Sequence, residues 1–294
     1  MKLWFKILSC ASILTLVGLV GAQNSTAPIM PPQDSLIPAL MLKLDWSTKY
    51  VNRGVVRNDK PVTLGTVELE LEGLYAGVWG VYDWTHAHDR NNGRMNDDDY
   101  GWYESERKYR FEEFNYYAGY YYTFDDVLGL GPLTIDGRWT YLYYPTVHEL
   151  NSAEIALAVS LDEIYKTERQ GVAAKLAAVY DYEWEETWMC LGGAYTLILD
   201  DEAKWELVIN ADLFWGDAAY LRNFWDEGGP TEGNAFTNAV FGATLNIRVA
   251  ENFVIAPYMN LAYALDGRVR DAMRANNYNN RQAFWTGIKA SVAF

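Results

Sequence analysis

Residues 40–50 read LMLKLDWSTKY, and this stretch decides the fold. Leu40, Leu42, Leu44, Trp46 and Tyr50 fall on one parity, while Lys43, Asp45, Ser47 and Lys49 fall on the other. A period of two is the period of a β-strand, whose successive side chains point to opposite faces. Here one face is wholly apolar and the other wholly polar, so the strand belongs to a wall between two unlike media.

The same alternation recurs along the chain. VTLGTVELELE (62–72) sets Val67, Leu69 and Leu71 against Glu68, Glu70 and Glu72. LTIDGRWTYLYY (133–144) sets Leu133, Ile135, Trp139, Tyr141 and Tyr143 against Asp136 and Arg138. GVAAKLAAVYDYEW (171–184) sets Val172, Leu176, Tyr180, Tyr182 and Trp184 against Lys175, Asp181 and Glu183. KWELVINADLFW (204–215) sets Trp205, Leu207, Ile209, Leu213 and Trp215 against Glu206, Asn210 and Asp212. VFGATLNIRV (240–249) and FWTGIKASVAF (284–294) repeat the pattern and place Arg248 and Lys289 on the polar face.

A soluble β-sandwich also alternates. Two features argue against it. The segments run to about 11 residues, the length that crosses a bilayer at a tilt, whereas sandwich strands are about half as long. Trp46, Tyr50, Trp84, Tyr143, Trp184, Trp205 and Trp215 also cluster near segment ends, as interfacial girdles do.

The amino terminus sets the compartment. Lys2 and Lys6 precede the apolar run Ile7–Val20, and Val20-Gly21-Ala22 supplies small residues for cleavage. Residues 1–22 therefore read as a signal peptide, and the Pro-rich segment 23–39 as a flexible lead-in to a barrel over 40–294. Cys10 leaves with the signal, so Cys190 is alone and forms no intramolecular disulfide. Within WMCLGGAYTLIL (188–199) it reads as a packing residue rather than a nucleophile. After residue 22 no run approaches the ~20 apolar residues of a spanning helix. An exported chain without such a helix can cross a membrane only as a closed barrel.

Twelve segments are expected, near 40–50, 62–72, 74–84, 113–124, 132–144, 153–162, 172–184, 187–199, 204–215, 237–249, 253–265 and 283–294. The fold class is thus all-β, a transmembrane antiparallel up-and-down barrel with both termini on the periplasmic side. The longest connections, 85–112, 216–236 and 266–282, then share the opposite end. The last strand carries Phe284, Ile288, Val292 and Phe294 on one face. A terminal aromatic of this kind is the signal that the outer-membrane assembly machinery of Gram-negative bacteria takes up. Outer-membrane lipid and lipopolysaccharide are the other expected partners, and the outer membrane the expected location.

The chain carries a formal charge of −15, and its lack of a basic stripe argues against nucleic acid. The inward residues are read as Asp45, Glu68, Glu70, Glu72, Asp136, Glu154, Asp162, Asp181, Glu183, Glu206 and Asp212 against Lys43, Lys49, Arg138, Lys175, Arg248 and Lys289. Glu206 and Asp212 have no base on their own strand, and Asp181 and Glu183 share only Lys175. This places an acidic surplus on the arc of segments 172–184 and 204–215. The function expected is a porin for passive diffusion of small hydrophilic solutes, mildly cation-preferring. The alternative is a structural or surface-binding barrel with a plugged lumen and functional extracellular loops.

No catalytic constellation emerges, so the chain does not read as an enzyme. His86, His88 and His148 are the only histidines, and none is followed by serine two residues on. HAHDRNNGRMNDDD (86–99) could imitate the acidic mouth of an outer-membrane protease and offers Asp89, Asn91, Asp97, Asp98 and Asp99 as oxygen ligands. It lacks the ordered spacing of a calcium loop, and a solvated polar loop is the reading preferred. No metal or cofactor is expected.

The segment YVNRGVVRNDKPVTLGTVELELEGLYAGVWG (50–80) resembles the opening of the TorF-family porins. FNYYAGYYYTF (114–124) and AAVYDYEWEETWMCLGGAY (177–195) are similar to later segments of that family. Arg53, Gly54, Asn58, Asp59, Pro61, Gly77, Trp79 and Asp181 carry the match. The resemblance implies an outer-membrane barrel with pore activity and no catalytic residues. The long 85–112 connection departs from the family pattern.

Overall fold

A computed structural model describes residues 38–84, 110–125, 127, 129, 131–145, 150–225, 233–275 and 282–294. The expected signal peptide, most of the lead-in, all three histidines and residues 85–109 of the long connection lie outside the described residues.

Alternation of the kind seen at 40–50 leaves every strand with two unpaired backbone edges, and closure is the arrangement that removes them. The strands are β1 (Ala39–Ser47), β2 (Tyr50–Asn52), β3 (Val55–Asn58), β4 (Val62–Leu71), β5 (Leu74–Asp83), β6 (Arg110–Phe124) and β7 (Leu133–Tyr143). They continue with β8 (Ser152–Lys166), β9 (Gln170–Asp181), β10 (Glu186–Ile198), β11 (Trp205–Gly216), β12 (Ala235–Ala250), β13 (Phe253–Ala264) and β14 (Gln282–Ala293). Strands β1 and β4 to β14 form a closed twelve-stranded barrel, in which β1 pairs with both β4 and β14. All its pairings are antiparallel. At the seam Met41 faces Ala293 and Ser47 faces Gly287. Reciprocal backbone bonds between Leu40 and Phe294, of 3.2 and 2.9 Å, finish it.

The parity read from sequence sets the two faces. Leu44, Val67 and Leu69 are more than half exposed on the outside, while Asp45, Glu68 and Glu70 beside them are buried on the inside. Ile155, Leu176, Leu191, Ile209, Phe241 and Phe284 extend the outer apolar surface around the barrel. Trp46, Trp84, Trp184 and Trp205 are exposed near strand ends. On β10, Met189 and Leu191 are exposed while Trp188 and Cys190 are buried.

Short turns gather at one end of the barrel. Glu72 (φ 51°) and Gly73 (φ 87°) join β4 to β5 as a two-residue turn with both residues left-handed, which suits the twist of a hairpin. A Cβ on Gly73 would also lie 2.4 Å from the Tyr121 carbonyl oxygen, so the position tolerates only glycine. In the β10–β11 turn the Asp200 carboxylate accepts the Trp205 N–H at 2.8 Å. That bond, with further backbone donors in the turn, holds Asp200 below the ordinary carboxylate range.

Three expectations need correction at the other end. Residues 110–112 belong to β6 and not to the long connection. The 216–236 and 266–282 connections contain helices, α1 (Ala218–Trp225) and α2 (Gly267–Ala275). Each is capped by an aspartate at its start: Asp217 accepts the Tyr220 N–H at 2.8 Å, and Asp266 accepts the Arg268 N–H at 2.7 Å. The third concerns Tyr50. It lies past the end of β1, buried in the barrel rather than in an outer girdle, because the chain turns inward at Thr48 and Lys49.

Candidate functional site

The inside of the barrel is built from tyrosines, glycines and charges in register. Tyr117 lies over Gly77, Tyr75 over Gly119, and Tyr258 over Gly287. A Cβ on those glycines would come within 2.5, 2.4 and 2.4 Å of the respective ring or hydroxyl. Glycine on one strand thus makes the space in which a neighbouring strand's tyrosine lies flat. Each hydroxyl then reaches a carboxylate one or more strands away. Tyr75 donates to Asp136 at 2.8 Å, Tyr117 to Glu68 at 2.8 Å, Tyr121 to Glu70 at 3.0 Å and Tyr258 to Asp45 at 3.0 Å. The Arg138 guanidinium stands 5.9 Å from the Tyr117 ring, and the Lys289 ammonium 4.7 Å from the Tyr258 ring. Lys43 faces Thr66, diagonal to Glu68. The sequence-selected Lys43, Asp45, Glu68, Glu70, Asp136, Arg138 and Lys289 therefore sit together on the inner wall.

The arc at β9 to β11 differs from its sequence reading. Lys175 and Asp212 both lie directly opposite Gly192, one on each side. The missing side chain lets them meet at 2.9 Å across the strand between them. A Cβ on Gly192 would stand 2.2 Å from Lys175 Cε and 2.3 Å from Asp212 Oδ1. Asp212 is therefore paired, and its base was hidden because it sits two strands away. Glu206 accepts from Asn246 at 2.9 Å. Asp181 holds the next turn through the Glu183 and Trp184 N–H groups, both at 3.0 Å. Glu183 itself is exposed in that turn, beyond the end of β9, so it leaves the inner-wall set. Lys49 lies in the bend after β1, and Arg248 is half-buried near the short-turn end of β12. Pairing of Asp212 and the outward placement of Glu183 make the acidic surplus on this arc smaller than its sequence reading, and Asp181 and Glu206 are what remains of it.

A further group of buried carboxylates (Asp83, Glu112, Glu113, Glu154 and Glu186) surrounds the connection between β1 and β4. That connection folds back into the barrel as hairpin β2–β3, turning on Arg53 (φ 51°) and Gly54 (φ 80°) where Asn52 pairs with Val55. Two adjacent left-handed residues again suit a tight hairpin. Val51 and Val56 pack with Trp188, Phe214, Tyr220, Tyr258 and Trp285, and Val55 packs with Leu221, Ala264 and Val269. Tyr50 packs with Val62, Leu64, Val81 and Trp79, its ring 6.0 Å from that of Trp79. The hairpin thus touches wall residues on opposite sides of the lumen.

Polar anchors accompany these contacts. Tyr50 donates to Glu113 at 2.6 Å and Asn58 to Glu112 at 3.1 Å. At the tip, Arg53 is hydrogen-bonded and ion-paired to Glu154 of β8, with Glu186 of β10 at 3.9 Å. Its guanidinium lies 4.3 Å from the Trp188 ring and 5.6 Å from the Tyr220 ring of α1. The Asn238 amide donates to the Arg53 carbonyl at 3.0 Å. Asp83 is a further buried carboxylate at this end.

Most of the residues that carry the sequence resemblance lie at this hairpin, while Asp181 ends β9. Arg53 and Gly54 form its tip, Asn58 its base, and Trp79 its flank, with Gly77 under Tyr117 on the same strand. Asp59 and Pro61 lie where the chain leaves it, Asp59 exposed beside Lys60. Glu112, Glu113, Glu186, Trp188, Tyr220 and Asn238 were not singled out in the sequence. The available signal was the R-G pair between two short β-branched runs, which marks a turn but not where the hairpin docks. Among the described residues no cluster of three or more His, Cys, Asp or Glu is placed to hold a metal ion.

No protein-family model matches the chain, and no curated protein matches it. Solved structures resemble it at low identity. A KdgM porin in complex with disordered oligogalacturonate matches at 9% identity and a TM-score of 0.45, over 87% of this chain and 99% of that one. An outer membrane channel from Pseudomonas putida F1 matches at 11% and 0.47, over 90% of this chain and 100% of that one. The NanC porin matches at 9% and 0.43, over 86% and 98%.

Proposed function

We propose that the chain is an outer-membrane porin of a Gram-negative bacterium that passes small hydrophilic solutes and mildly prefers cations. The observation that carries this reading is the division of the barrel into an apolar outside and a charged, tyrosine-lined inside. Leucines, isoleucines and phenylalanines half exposed all round a closed barrel need an apolar surrounding. Outer-membrane lipid and lipopolysaccharide would supply it. Carboxylates and bases along an inner wall suit water and hydrated solutes. Phe294, 63% exposed at the end of the last strand, remains the group that would engage the assembly machinery. The match of Arg53, Gly54, Asn58, Gly77 and Trp79 supports kinship with the TorF-family porins.

The cation preference now rests on Asp83, Glu112, Glu113, Glu154 and Glu186 around hairpin β2–β3, facing Arg53 and Arg57. Inside a passage narrower than about two Debye lengths, roughly 16 Å at physiological salt, such charge is only partly screened. One observation favours a second reading: the hairpin meets the wall on opposite sides, as a plug would. Liposomes carrying the refolded protein separate the two. Swelling in solutions of small sugars, faster for smaller sugars, is the outcome expected of a porin. Liposomes that swell no faster than protein-free ones would leave the plugged barrel.

A further inference from the structure

Hairpin β2–β3 is joined covalently only to β1 and β4, yet its tip is held at the far wall. Near its base the polar anchors are Tyr50 and Asn58, which donate to Glu113 and Glu112 of β6. At its tip the side-chain anchor is Arg53, which reaches Glu154 and Glu186 on two different strands and lies against Trp188 and Tyr220. Two carboxylates at the edges and two rings at the faces make a receptor for a planar guanidinium, which forks and stacks where an ammonium cannot. Both Arg53 and Glu154 are almost wholly buried, at 4% and 2% exposure, so water does not compete strongly for the pair.

Resting on the porin reading above, we propose that Arg53 is the specificity-determining residue of the passage. By clamping the hairpin across the lumen it sets the size of solute that passes, and by offsetting Glu154 and Glu186 it limits the preference for cations. The two roles separate by sign. Removing the arginine loosens the tip, leaving it the Asn238 bond and the valine contacts, and uncovers two carboxylates. Removing the carboxylates loosens the same tip and subtracts negative charge.

The test compares refolded wild type, Arg53→Ala, Arg53→Lys and the double variant Glu154→Gln/Glu186→Gln in planar bilayers. Gel mobility with and without boiling confirms that each barrel is folded. Arg53→Ala is expected to conduct several-fold more than wild type, with a reversal potential in a KCl gradient shifted further toward potassium. Arg53→Lys falls between the two, because it restores the charge but neither the fork nor the stacking. The double variant also conducts more, but its reversal potential moves toward chloride. If wild type conducts and Arg53→Ala matches it in both measurements, the role of Arg53 is overturned while the porin reading stands. Should Arg53→Ala fail to fold, the double variant decides by whether its conductance rises. No current from any form, including one with residues 50–58 replaced by glycine and serine, overturns the porin reading and this role together.

Discussion

At the scale of single residues, glycine is as consequential here as charge. Gly192 creates the gap across which Lys175 meets Asp212, and a methyl group there would occupy the space of both partners. Gly192→Ala is therefore expected to split the pair and cost about 1–3 kcal/mol, because two half-buried charges lose their partners. Urea unfolding of the refolded barrel measures it, and an unchanged midpoint would show that the pair contributes nothing. On β4, Leu69→Arg places a charge on the outer apolar face, which meets lipid in the porin reading, and is expected to cost about 1–3 kcal/mol at this depth between interface and midplane. Glu70→Gln, one residue away and facing inward, should cost about 1 kcal/mol, since it keeps the shape and weakens the bonds from Tyr121 and Gly73. Equal losses for the two would contradict the assigned faces. Parity alone told which way Glu70, Asp136 and Lys175 point, because a strand's two faces follow from its own sequence. It could not tell that Asp212 had a partner two strands away, because that depends on register.

At the scale of elements, the strands were legible and the inserted pieces were not. The twelve barrel strands fall within a few residues of their expected positions because a long amphipathic strand carries its own signal. Hairpin β2–β3 is short, and its residues Val51, Val55 and Val56 look like any exposed β-segment until the wall they meet is known. Its tip and the Trp79 flank lie within the segment that resembles the porin family, so a clue was present without its structural meaning. Helix α1 is eight residues long, too short for helical periodicity to stand out. Asp217 was its readable mark, since the carboxylate caps the first turn and also accepts the Thr187 N–H at 2.9 Å. Asp217→Ala should destabilise the helix by about 1 kcal/mol. Faster amide exchange over 218–225 and at Thr187, with the rest of β10 and β11 unchanged, is the expected result. Uniform exchange changes through both strands would mean that α1 is not a separate unit.

At the scale of the whole molecule, twelve strands put the start of β1 and the end of β14 on one side and the long connections on the other. The porin reading assigns the long-connection end to the cell surface and the Glu72–Gly73 turn to the periplasm. Protease added to intact cells should cut only within 85–109, 217–234 or 265–281. Cleavage at the Glu72–Gly73 turn would invert the orientation. The central claim, a membrane barrel whose lumen conducts and favours cations, is tested most directly by the reversal potential of the wild-type protein in a planar bilayer under a KCl gradient. Measurable current and a reversal potential displaced toward potassium are expected, with the displacement shrinking as salt rises. A potential displaced toward chloride, or a bilayer that carries no current at all, would contradict it.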